Sequence, residues 1–262
     1  VREHVRWLNR TGEMLGLNVD VGYWLSQLEE DLNKTFSDVV KAVGQIRQLL
    51  GHLEKMGLKP LHDIARQKAR ALNNTIEVLT NKTIERIYRE ADAPGVEAAV
   101  RNIERGIATL RNVEELLKNA SNRAVIREHV RWLNLTREML TLDEGGWLGE
   151  INDVTDVDKI AARVERAMGQ IRQLLDHLER IKVEKLRQLV AEKYKTLNAT
   201  RELLKDLADI KDPQWWRENA RGNIEKIKEA IRRWKESRGG GGGSGGGGGS
   251  GGGGGSGGGR GW

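Results

Sequence analysis

The same eight residues, Arg-Glu-His-Val-Arg-Trp-Leu-Asn, stand at Arg2–Asn9 and again at Arg127–Asn134, a displacement of 125 positions. Gly44–Leu50 returns at Gly169–Leu175 with that displacement, as do His52-Leu53-Glu54 at His177-Leu178-Glu179 and Leu72-Asn73 at Leu197-Asn198. It shortens to 123 between Trp24 and Trp147 and to 121 between Asn102-Ile103-Glu104 and Asn223-Ile224-Glu225. Length changes of this kind belong in connections, so both copies are expected to keep the same packed elements. Residues 1–121 and 122–238 therefore read as a tandem duplication, and 239–262 as a tail.

Within each copy the apolar residues recur at helical spacing. In the first, four stripes stand out: Val1, Val5, Leu8 and Leu15; Val43, Ile46, Leu50 and Leu53; Leu61, Ala65, Ala69, Leu72, Ile76 and Leu79; and Val96, Val100, Ile103, Ile107, Leu110 and Leu117. Pro60 suits the first turn of a helix, Pro94-Gly95 suits a break, and Asp212-Pro213 suits the start of the last helix, which carries Trp216, Ile227, Ile231 and Trp234. No alternation long enough for a strand occurs. The fold expected is all-α, each copy an up-down four-helix bundle with Leu50, Leu53, Leu72, Ile103, Leu175, Leu178, Leu197 and Ile224 buried. Lys118 to Arg123 contains no Pro or Gly, so the fourth helix is expected to run almost straight into the fifth.

Seven of the fifteen asparagines begin Asn-x-Ser/Thr triplets: Asn9, Asn33, Asn73, Asn81, Asn119, Asn134 and Asn198. With 15 Ser and Thr among residues 1–238, chance supplies about one such triplet. The third residue is Thr in six of the seven, and Asn9 with Asn134 and Asn73 with Asn198 are mates across the repeat. The excess points to N-linked glycans as the covalent modification of the chain, and through them to an extracellular or cell-surface location.

Composition agrees with export by a particular route. There is no cysteine, so an exported chain must hold itself together by burial and salt-bridged helices. That is ordinary for prokaryotic secreted proteins, and a charged, cysteine-free helical glycoprotein suits an archaeal surface layer. The chain opens on Val1, as it would after removal of a leader, and no run of eighteen apolar residues is present to span a membrane. The net charge of +6 is concentrated in Lys226, Lys228, Arg232, Arg233, Lys235 and Arg238, where basic groups complement a helix C-terminus. Nucleic acid is a less favoured partner, because the rest of the chain is nearly balanced.

Three GGGGGS units follow Arg238, then Gly257-Gly258-Gly259-Arg260-Gly261-Trp262. Free in solution such a segment is a flexible coil, but an extended glycine strand cannot satisfy its own backbone, so other tails or the surface of a neighbouring subunit are the expected partners. Arg260 and Trp262 then serve as end anchors of an assembly tail. Perfect repetition equally suits an engineered spacer.

Little supports catalysis. With no Cys, four Ser in the body, no GxSxG and no HExxH, nucleophile and metal motifs are missing, and no small-molecule substrate, cofactor or metal is expected. His4 pairs with His129 and His52 with His177 across the repeat, as Trp7 does with Trp132. The tryptophans read chiefly as core or packing residues. The function expected is a non-enzymatic, secreted, glycosylated subunit that polymerises with copies of itself into an extracellular filament or surface assembly. The alternatives are a designed helical scaffold with a GGGGGS linker and a DNA-wrapping capsid-type protein.

Overall fold

The structure, a computed structural model, describes residues 2–219 and 224–239. Eleven α-helices and no strand occur among the described residues, as the helical spacing requires. The burial expected of Val1 and Ile224, and the tail with Arg260 and Trp262, lie outside them.

The chain divides into two compact units. The first comprises Val1–Glu144 with Ala161–Arg201. It holds α1 (Arg2–Gly16), α2 (Val21–Glu30), α3 (Leu32–Lys55), α4 (Lys59–Ala91), α5 (Val96–Leu116) and α6 (Ala120–Leu140), with most of α8 (Val154–Arg180) and α9 (Glu184–Ala208). The second comprises Gly145–Ile160 with Glu202–Trp262 and contains most of α7 (Glu144–Gly149), α10 (Pro213–Asn219) and α11 (Ile224–Gly239).

In the first unit α4 touches α1, α2, α3, α5 and α6, and α3 touches α1, α2, α4 and α5. Helix α3 starts where the Asp31 side chain accepts the Lys34 N–H at 2.9 Å, satisfying an otherwise unpaired first-turn donor. Phe36, Val39, Val43, Ile46, Leu49 and Leu53 are buried along it. Leu50 and its mate Leu175, expected in the core, are only half-buried, and Leu49 and Leu174 take the central places. A helix packed on several sides needs a wide apolar arc, and the second leucine of each pair sits at its edge. Leu53, Leu72, Ile103, Leu178 and Leu197 are buried as expected, whereas Val96 at the start of α5 is exposed.

Several contacts recur at the repeat displacement. Gly57 ends the first α3 turn with φ +69°, its N–H bonding the Glu54 carbonyl while the Leu58 N–H bonds that of Leu53. This paired closure needs a left-handed residue. Its mate Lys182 has φ +59°, with Lys182 N–H to the Glu179 carbonyl and Val183 N–H to that of Leu178. The Lys68 ammonium donates to the Leu17 carbonyl at 2.7 Å and Lys193 to the Leu142 carbonyl at 2.8 Å, a cation on the chain just past a helix C-terminus in each case.

The expected straight run from the fourth helix to the fifth does not occur. The chain breaks at Leu117–Asn119, and α6 doubles back along α5. Glu104 pairs with Arg137 and Glu114 with Arg127, so residues rising along one helix meet residues falling along the other. Asn119 makes the break: its side-chain oxygen accepts the Ser121 N–H at 2.8 Å and caps α6. Four helices per copy also undercounts, because short α2 and α7 follow the first helix of each copy. Asp20 caps α2 by accepting the Gly22 N–H, and the Trp24 indole N–H reaches back to the Asn18 carbonyl at 3.2 Å.

Candidate functional site

Six of the seven sequons lie within helices, and their geometry follows from helical spacing. Successive residues are 100° apart, so an asparagine and the residue two places on point to nearly opposite sides. Asn9, Asn33, Asn81 and Asn119 are exposed, and Asn73, Asn134 and Asn198 are half-buried. The threonines face inward: Thr11, Thr35, Thr75, Thr83, Thr136 and Thr200 are all buried, with no more than 8% of their surface exposed. Five donate their hydroxyl to the carbonyl four residues earlier, at distances from 2.7 to 3.0 Å. That bond is how a core threonine satisfies its hydroxyl inside a helix. Only Asn119-Ala120-Ser121 differs, with both its asparagine and its serine exposed at the cap of α6.

A second feature lies on α1. Its expected stripe is not buried: Val5 is 51% and Leu8 61% exposed, and the inward residues are Thr11 and Met14. The mates on α6 behave otherwise, since Leu133 is fully buried and Val130 half-buried. Leu133 lies against α5 near Gly106, the residue that lets α5 approach Ile87 of α4 closely. A Cβ there would stand 2.4 Å from the Ile87 methyl and 3.8 Å from a Leu133 methyl. Among the described residues no helix covers Val5 and Leu8 of α1 as α5 covers Leu133 of α6.

Trp and His form one contact twice. Trp7 stacks on His52 with ring centres 3.9 Å apart and planes within 9°, and Trp132 stacks on His177 at 4.1 Å and 4°. In both histidines Nε2 is buried without a hydrogen-bond partner. The second stack is joined by Tyr88 of α4 and by His129, whose Nδ1 lies 3.2 Å from the tyrosine hydroxyl. Burial, reinforced by the nearby His129 and Arg180 and opposed by Glu128, pushes His177 down to about 4. His129 is lowered, mainly by burial, and burial raises the Tyr88 hydroxyl, with Glu128 adding to the rise. The group is thus held neutral. Beside it lies a cavity of about 410 Å³ lined by Asn81, Glu85, Tyr88, Arg89, Asp92 and His129 among others. Among the described residues no three His, Asp or Glu converge as a metal site.

Part of the basic charge of α11 is ion-paired. Lys228 pairs with Glu225, Arg233 with Glu229, and Lys235 with Asp206 at 2.8 Å, while Arg232 lies within 4.0 Å of Glu229 and Glu236. Trp216 is buried, its indole N–H donating to the Ile210 carbonyl at 2.8 Å, and Trp215 meets it edge to face. No helix among the described residues is long and apolar enough to cross a membrane.

Sequence reading finds the sequons but misses the open face of α1 and the Trp–His pairing. The signal for the latter is present, because both partners persist at the same displacement in both copies. Comparison with known protein families, curated proteins and solved structures finds no match for this chain.

Proposed function

We propose that the chain is a non-enzymatic, exported, N-glycosylated structural subunit, a duplicated helical bundle that associates with copies of itself into an extracellular filament or surface assembly. The observation that carries this is the apolar face of α1. The same octapeptide is covered inside the chain at α6 and left open at α1, so the sequence is already one that buries against a helix. A second copy is the occupant that such a repeat favours, since the partner surface is written into the chain itself. The recurring Trp–His stacks, left-handed turns and lysine-to-carbonyl bonds support the duplication. The tail from Gly239, with Arg260 and Trp262, is proposed as a second link between subunits on its sequence alone.

A designed scaffold with a linker is the rival that perfect GGGGGS repetition favours. The DNA-wrapping alternative rests on the basic excess of α11 alone, part of which is already ion-paired within the chain. Electron microscopy and light scattering of Val5→Glu/Leu8→Glu, beside a truncation at Arg238, separate the readings. The expected result is a folded helical protein in both cases, with assembly lost in the double substitution and weakened in the truncation. Normal filaments from the double substitution, or a monomeric parent at high concentration, would remove the proposal.

A further inference from the structure

The inward threonines bear on when sugar is attached. N-glycosylation joins the asparagine Nδ2 to the anomeric carbon of a lipid-diphosphate-linked oligosaccharide. The bond from that carbon to the diphosphate oxygen breaks, lipid diphosphate departs, and the amide nitrogen gives up one proton. The enzyme that catalyses this reads the hydroxyl two residues on, which is why the motif contains Ser or Thr. Both side chains must therefore be presented to one active site.

In six of the seven sequons the folded chain cannot do this. Thr75 and Thr136 are fully buried, Thr83 is 1% exposed and Thr35 3%, and their hydroxyls are bonded to Ala71, Trp132, Leu79 and Asp31 carbonyls. Their asparagines point the other way. Turning both toward one enzyme means unwinding a helical turn and withdrawing a threonine from among neighbours such as Leu72, Ile76 and Leu133, which are at most 5% exposed. Opening of that depth approaches global unfolding and is populated only rarely.

Asn119 is the exception. Its backbone is extended, with φ −76° and ψ 121°, and both it and Ser121 are exposed. The cap uses the side-chain oxygen alone, leaving Nδ2, the atom that accepts sugar, unengaged by it.

We infer that Asn9, Asn33, Asn73, Asn81, Asn134 and Asn198 are glycosylated before their helices close, whereas Asn119 can be glycosylated in the folded protein. The inference rests on the glycoprotein reading above and adds an order to it. It also explains why glycans need not disrupt the core: the inward threonine that the enzyme reads first becomes a packing residue afterwards.

The test uses the full chain produced without sugar, folded, and incubated with an oligosaccharyltransferase and a lipid-linked oligosaccharide. A full-length Leu72→Asp/Leu133→Asp variant, verified as unfolded by circular dichroism, is treated in parallel, and occupancy at each asparagine is mapped by mass spectrometry. Expected is modification of the folded chain at Asn119, with the other six slower than in the unfolded variant by about 100-fold or more, the scale set by rare opening. Comparable rates at Asn73 and Asn134 in folded and unfolded chains would overturn the order while leaving the glycoprotein reading intact. Failure of the unfolded variant to accept sugar at any site would overturn both.

Discussion

Arg2–Asn9 and Arg127–Asn134 have one sequence and two environments. At the second position Leu133 is fully buried against α5; at the first, Leu8 leaves 61% of its surface in solvent. Periodicity is identical in the two and cannot tell them apart. It states which side of a helix is apolar, and the neighbour decides whether that side is interior. The open face of α1 is thus one that the same octapeptide covers elsewhere in the chain.

The sharpest way to break this comparison is to truncate both leucines. Leu133→Ala should cost about 2–5 kcal/mol in urea denaturation, as deletions in a packed core do, and Leu8→Ala less than about 0.5 kcal/mol in the monomer. Equal effects would mean that the two helices are packed alike.

Acid should find the second copy next. His177 is held at about 4 against an ordinary 6.5, so between these values the unfolded chain binds a proton that the folded chain excludes. Stability is therefore full above about pH 6.5 and declines as pH falls toward 4, by on the order of 1–3 kcal/mol with His129 contributing in the same direction. The charged and titratable neighbours are Glu128, His129, Arg180 and Tyr88. Thermal melts across that range check the slope, and His177→Gln should flatten it.

Gly106→Ala probes how closely α5 approaches. The added methyl meets Ile87 at 2.4 Å, and the strain should cost about 1–3 kcal/mol despite alanine's better helix propensity. Gly12→Ala on the open α1, with nothing within 4 Å of the new methyl, should instead stabilise by up to about 1 kcal/mol. A gain of similar size is expected at Lys182, which takes at φ +59° the left-handed place that Gly57 fills in the first copy. Lys182→Gly should raise stability by about 0.5–1 kcal/mol, read as a small upward shift in melting temperature.

How much was legible follows from these cases. The all-helical fold, the turns at Pro60 and Pro94-Gly95, and most central residues of α3, α4 and α5 follow from spacing and breakers, because each is a local property of the chain. The doubling back at Leu117–Asn119 escapes a reading that takes Pro and Gly as the helix breakers, because Lys118 to Arg123 has neither and Asn119 makes the break as a cap. Leu49 and Leu174 displaced their neighbours because packing on several sides selects among adjacent apolar residues. Of the candidate site, the asparagines were visible and the inward set of their threonines was not stated, though the 100° step contained it.

That doubling back also sets a clock. Helices α3, α4, α5 and α6 pack largely on their neighbours in sequence, and folds of such low contact order close in microseconds to milliseconds once their parts are present. Delivered at the speed of synthesis, about 5–20 residues per second, the 33 residues of α4 take roughly 2–7 s to emerge, and α3 has no full partner until they do. Chain delivery, not helix formation, is then the slow step, and the seconds between one helix and the next are the interval before Thr35 is drawn into the core.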